Sequence, residues 1–402
     1  MSRFLEVIDV PGAVATAIRI APDPVPEEIP SDEAPGRVTC TDVTANADIP
    51  GFDRSIVDGF AVRAEDTSGA TDSVPVLLRS TGRVAMGEPD GGLAVAPGTC
   101  VYVPTGGVLP KGADAVVMVE HTDTESETVL VKRPVAHGEN VLMHDEDYRR
   151  GEVILPAGRR ITPQDAGVLA ACGKVSLTVA KKPVIGIIST GNELVPVTAV
   201  PGPGQVRDAN TSMLVAYLRG YSCTPRVYGI VRDERESFEA TLAKALPECD
   251  VVLISGGSSK DDRDMTASVI ARMGEVLVHG ITIAPGKPTI IGTIGKTPVF
   301  GLPGHPASAY VVLLVIVRPL LAHMLGEKKT AITTTRATLG SNIPSQKGRE
   351  EYVRVKLANG IAHPIFGKAG LLNTLVESDG LVCVAAGQEG LEQGTEVDVI
   401  LW

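Results

Sequence analysis

The run Ile254-Ser255-Gly256-Gly257-Ser258-Ser259-Lys260-Asp261-Asp262-Arg263-Asp264 sets three carboxylates, two cations and two glycines directly behind an apolar stretch. Glycines let a ligand approach the backbone, and the unpaired amides at a helix start attract an anion. Three aspartates repel that same anion. A divalent cation resolves the conflict, because it bridges carboxylates to phosphate or oxyanion oxygens. Three more stretches of this kind follow apolar runs: Ser189-Thr190-Gly191-Asn192-Glu193, Pro285-Gly286-Lys287-Pro288, and Leu302-Pro303-Gly304-His305-Pro306-Ala307-Ser308. Singly, each has a plain reading. Asp264 suits a helix N-cap, Glu193 a solvated loop, Lys287 an exposed turn, and Pro306 the first position of a helix. Together they supply glycine amides, a lysine and two acids, the parts of a phosphate-and-metal site.

Such loops have to be held by a scaffold. From Lys182 onward apolar strand patterns alternate with helical ones, "PVIGIIS", "TSMLVAYLRGY", "RVYGIV", "ESFEATLAKAL", "DVVLIS", "MTASVIARMG", "PVFGL" and "ASAYVVLLVIVRPLLAHML". This pattern predicts βαβ units and a parallel-rich sheet covered by helices on both faces, a central three-layer α/β domain over 182–326. Ligands of such sheets bind beyond the carboxyl ends of the strands, where the four loops are expected to converge. Asp208 or Asn210 is expected to cap the first helix. Residues 43–140 read instead as short β-branched runs between Gly and Pro, a β-rich lobe inserted into a mixed α/β linking domain made of 1–42 and 141–181. In the latter, Thr162-Pro163-Gln164 opens a helix that stops at Gly173. The segment 327–402 returns to short strands and reads as a separate small barrel, which makes the chain an α/β multidomain protein.

Composition narrows the function. At 402 residues the chain suits roughly two to four domains. Its 44% apolar and 3% aromatic content, with 43 Gly and 29 Pro, implies aliphatic cores and many tight turns. The net charge of −11 argues against a general nucleic-acid or anionic-membrane surface, so an anionic ligand needs a local basic site. The N-terminus lacks the apolar stretch of a signal peptide, and the apolar run from Ala307 to Val317 meets Arg318 and Pro319 before it spans a bilayer; a cytoplasmic protein is expected. Six cysteines without a C-x-x-C pair, and histidines without paired spacing, give no disulfide framework and no transition-metal cage.

Two acidic features lie outside the α/β segment. "FDRSIVDGFAV" holds Asp53, Arg54, Ser55 and Asp58 in one loop, and "HDEDYRRGE" spans 144–152. "DRSIVDGFAV" resembles the D-x-S-x-x-D-G-[YF]-A-V signature of the molybdopterin molybdenumtransferases, the MoeA and gephyrin C-terminal family. "PTGGVLPKGADAVVMVE", "GEVILPAGRRITPQDAGVLAACG", "STGNEL", "SGGSSKDDRD", "PGKP" and "GLPGHPASA" are similar to further motifs of that family in the same order, over essentially the whole chain.

The resemblance implies an enzyme that inserts molybdate into the dithiolene of adenylylated molybdopterin with Mg²⁺, releasing molybdenum cofactor and AMP. It implies an elongated homodimer whose cleft lies between the molybdopterin-binding domain of one subunit and the β-rich lobe of the other. An adenylylating enzyme and recipient molybdo- or tungsto-enzymes are then natural partners. Carried over by position, Glu193 and Asp264 match acids that handle Mg²⁺ and substrate, Asp58 and Asp147 match acids supplied by the other domains, and Asp233 matches a further functional acid. Ligand contacts are expected from Thr190, Gly191, Ser255, Gly256, Gly257, Ser258, Lys260, Pro285, Gly286, Lys287, Pro303, Gly304 and Ser308. The chain departs from the family pattern where basic residues are usual, at Ala284 and Gly280; Lys260 or Arg263 is expected to supply part of that field. The rival readings are a paralogue that takes tungstate in place of molybdate, a related adenylyltransferase or nucleotide pyrophosphatase, and a molybdopterin-binding scaffold without chemistry.

Overall fold

The computed structural model describes residues 7–256, 260–328 and 333–402, with 260–264 by their backbone alone. The central sheet has six strands in the order Thr224–Val231, Val184–Thr190, Val251–Ser255, Thr297–Leu302, Ile290–Ile294, Glu275–His279. The first four run parallel; Ile290–Ile294 runs antiparallel to them, and Glu275–His279 at the edge, antiparallel to Ile290–Ile294, points the same way as the first four. Successive strand residues point to opposite faces, so one sequence feeds two cores. Ile185, Ile187, Val251 and Leu253 pack with Leu214 and Leu218 of the helix Ala209–Gly220 and with Val312, Leu320 and Leu321 of the helix Pro306–Met324. Ile188, Val252 and Ile254 pack on the other face with Phe238, Leu242, Val269 and Ile270 of the helices Arg235–Ala245 and Lys260–Met273. The result is the three-layer α/β arrangement.

Pro306–Met324, at 19 residues, is long and apolar enough to cross a membrane by length and composition; here 72% of it is buried and it is the spine of the larger core. The helix Val10–Arg19, capped by Asp9 through its side chain to Gly12 N, packs against this spine by Val10, Ala13 and Ala17. The strand after it, Pro26–Pro30, pairs antiparallel with Ser176–Ala180, and Val43–Thr44 pairs with Val153–Leu155. Residues on both sides of the β-rich segment are thereby joined.

Between them lies a six-stranded sheet in the order Ala115–Met118, Gly59–Val62, Thr99–Val103, Val76–Arg83, Thr128–Val131, Thr122–Glu125. Towards the C-terminus, Glu350–Ala358, Ile361–Pro364, Thr334–Leu339, Glu396–Leu401 and Gly380–Val384 close into a five-stranded barrel, the last strand pairing back onto the first. It is filled by Val355, Leu339, Val382, Val384 and Val399.

Candidate active site

A cavity of about 660 Å³ opens at the carboxyl ends of the parallel strands. Thr190, Ser255 and the Gly304 turn face it because Val184–Thr190, Val251–Ser255 and Thr297–Leu302 are neighbours that all end on that edge. Glu193 stands on its wall, its carboxylate folded back over Gly191 so that a β-carbon there would lie 2.7 Å from Oε2. Gly256 permits a close approach: a β-carbon would sit 2.6 Å from Thr190 Oγ1. The barrel closes the cavity with Gly370 and Leu372, held against the start of the helix Pro306–Val312 by a bond from Ala307 N to Ala369 O at 3.1 Å.

Of the expected contacts, Thr190, Glu193, Ser255, Gly256 and Gly304 line the cavity. Gly257 and Ser258 lie outside the described residues, as do the side chains of Lys260, Arg263 and Asp264. The backbone corrects one expectation: the helix begins at Lys260, so Asp264 is inside it and is not its N-cap. Pro303 and Ser308 are buried next to the cavity without lining it.

The Pro285-Gly286-Lys287 loop reaches the expected edge but does not line this cavity. Ile290 pairs with Gly301 and His279 with Ile290, which sets Pro285, Gly286 and Lys287 on the same edge. The short strand before them, Ile283–Ala284, leaves the central sheet and pairs with Glu350 and Glu351 of the barrel. Gly280 takes φ +106°, where a side chain is strained, so the chain as folded disfavours a basic residue at that position.

Sequence reasoning missed several cavity residues. Asp208 takes the cap of the helix Ala209–Gly220, its Oδ1 accepting from Thr211 N at 3.0 Å, which releases Asn210 for another task. Asn210 is 6% exposed and donates from Nδ2 to Ser255 Oγ at 2.9 Å and to Gly304 O at 2.8 Å. Arg207 adds a cation to the wall and is steadied by Nε donating to Val197 O and Ala199 O. The available signal was two capping residues ahead of one helix, where a single cap suffices.

Asp233 faces a neighbouring groove with Arg235, Glu236, Glu239 and Arg272. Its carboxylate accepts from Asn192 N at 3.2 Å while its own amide donates to Asn192 Oδ1 at 3.3 Å, so it orients the loop that carries Glu193. Asp58 and Asp147 do not line the cavity within this chain. Their segments meet, because Arg54–Ser55 pairs with Val141–Leu142 and His144 N donates to Asp53. Asp58 Oδ1 accepts from Thr105 N at 2.8 Å, and Asp147 is exposed.

The chain matches the family descriptions "MoeA N-terminal region (domain I and II)" over residues 8–173, "Probable molybdopterin binding domain" over 186–323 and "MoeA C-terminal region (domain IV)" over 336–402. It is 32% identical to the molybdopterin molybdenumtransferase of Bacillus subtilis, over 91% of this chain and 87% of that protein. Two crystal structures of Pyrococcus horikoshii MoeA molybdopterin biosynthesis proteins are similar throughout. One has a TM-score of 0.86 at 34% identity, covering 99% of this chain and 100% of that one. The other has a TM-score of 0.79 at 37% identity, covering 98% and 99%. With matches that run from the linking segment through the barrel, the chain belongs to the MoeA family of molybdenum cofactor biosynthesis, the molybdopterin molybdenumtransferases.

Proposed function

We propose that this enzyme inserts molybdate into the dithiolene of adenylylated molybdopterin in the presence of Mg²⁺, releasing molybdenum cofactor and AMP. The observation that carries the reading is the cavity at the strand ends, which joins a carboxylate (Glu193), a cation (Arg207) and a closely approachable backbone (Gly256) in a chain of this family. Mg²⁺ takes one or two carboxylates together with substrate phosphates rather than an all-protein cage. Glu193, on the wall of the cavity, fits that mode. Glu193, with Asp264, would hold the ion, which supplies neutralisation of the pyrophosphate charge when bound. Arg207 draws the anionic ligand to the wall, and Asp233 keeps the Glu193 loop in place.

Asp58 and Asp147 complete the site from a second copy, in a homodimer whose β-rich lobe faces the partner's cavity; they carry protons as an oxo group leaves molybdate. Their position away from the cavity of their own chain supports this assignment.

The test is AMP release from adenylylated molybdopterin with Mg²⁺, comparing molybdate, tungstate and no oxyanion, in the wild type and in Asp264→Ala. Release stimulated by one oxyanion and abolished by the substitution is expected, and names the metal. Molybdopterin bound without release under any condition would make the protein a scaffold. A second experiment addresses the shared cleft. Mixing unfolded Asp58→Ala and Asp264→Ala chains and refolding them should restore about a quarter of wild-type activity, since half the dimers are hybrids with one intact cleft each. No recovery would mean that each chain supplies its own acids.

A further inference from the structure

The carboxamide of Asn210 is committed on one side only. Gly304 O can only accept, so the Asn210 atom 2.8 Å from it is the nitrogen, and this fixes the orientation of the amide. Its second hydrogen goes to Ser255 Oγ, which spends both donors. Oδ1 is buried and meets no donor among the described residues, while the residue is 6% exposed and lines the cavity. A buried acceptor left without a donor is costly, and a native site keeps one when a ligand completes it.

The molybdopterin half of the ligand offers a narrow choice, and the amino and hydroxyl groups of the adenylate are the competing donors that AMP alone would report. The dithiolene sulfurs and phosphate of molybdopterin are anionic acceptors near neutral pH, and they would be repelled by Oδ1. The N–H groups on the edge of the pterin ring donate. We infer that Asn210 is the residue that reads the pterin: Oδ1 accepts from a ring N–H, while Nδ2 ties the carboxyl end of Val251–Ser255 to the Gly304 turn and so sets the width of the cavity floor. The pterin then lies against the start of the helix Ala209–Gly220. This rests on the molybdopterin reading given above and names the contact that selects the heterocycle.

The experiment uses the full chain and two probes, molybdopterin and AMP. Asn210→Ala should weaken molybdopterin binding about tenfold to a hundredfold and leave AMP binding unchanged. Because the substitution also removes the tie to Ser255 and Gly304, a second measurement uses the wild type: the side-chain amide resonance of Asn210, selectively ¹⁵N-labelled and identified by its loss in Asn210→Asp, should shift on saturation with molybdopterin and stay fixed with AMP. A resonance unmoved by bound molybdopterin, undiminished affinity in Asn210→Ala, or a loss of AMP affinity instead would each overturn the assignment. A wild type that binds no molybdopterin would strike down the underlying reading, and this inference with it, a result distinct from the other three.

Discussion

A single missing β-carbon shapes the floor of the cavity. With an alanine at 256 the new methyl would start 2.6 Å from Thr190 Oγ1, and Thr190 is buried at 1% exposure. Gly256→Ala should therefore cost about 1–3 kcal/mol in urea unfolding and reduce molybdopterin affinity. Adding Thr190→Ala removes the obstructing hydroxyl and should restore most of the stability; no restoration would locate the strain elsewhere. Gly256 was visible in the sequence because glycines beside acids behind an apolar run are conspicuous. Asn210 was not, because its task depends on Ser255 and Gly304, 45 and 94 residues away, which only the folded sheet brings together.

Elements were legible where local chemistry fixes them. Thr162 and Asp165 form a reciprocal capping box, with Asp165 Oδ2 accepting from Thr162 N at 2.9 Å, and Arg159 grips the same carboxylate through Nε and Nη2 at 3.0 and 2.8 Å. Thr162→Ala should lower stability by about 1 kcal/mol, and Thr162→Ser by much less, as read from denaturant midpoints at constant m-value. An equal loss in both would show that the methyl group matters more than the cap. The strands Glu275–His279 and Ile290–Ile294 were harder to read: the second meets Thr297–Leu302 through the tight turn Gly295-Lys296, a hairpin signal set among strands that otherwise alternate with helices. That hairpin reverses Ile290–Ile294 and so brings the Pro285–Lys287 loop to the carboxyl-end edge, although these residues do not line the cavity itself.

Over the whole molecule, the β-rich sheet, the central α/β layers and the closing barrel each follow from hydrophobic period, while the joints between them depend on long-range polar contacts. Arg160 donates to both oxygens of Glu327 at 3.0 and 2.9 Å and to Gly36 O at 2.7 Å, and Tyr221 donates to Glu327 at 2.9 Å. Burial works to raise the Glu327 carboxyl, but the bonds from Arg160 and Tyr221 outweigh it and hold the group below the usual carboxylate range. A carboxylate depressed in the folded state stabilises fully above its unfolded value, roughly pH 4.3, and that contribution drains away as pH falls through the folded one. Glu327→Gln should thus cost about 2 kcal/mol at pH 7, below the range for a fully buried pair because Arg160 is 26% exposed, and the gap to wild type should shrink below about pH 4. A gap independent of pH would assign the effect to packing. The contact between Ala369 and the start of Pro306–Val312 has a consequence in time: Gly370 and Leu372 close a cavity whose other walls end by residue 306, so a ribosome must make more than sixty further residues before the nascent chain can shut its own ligand pocket.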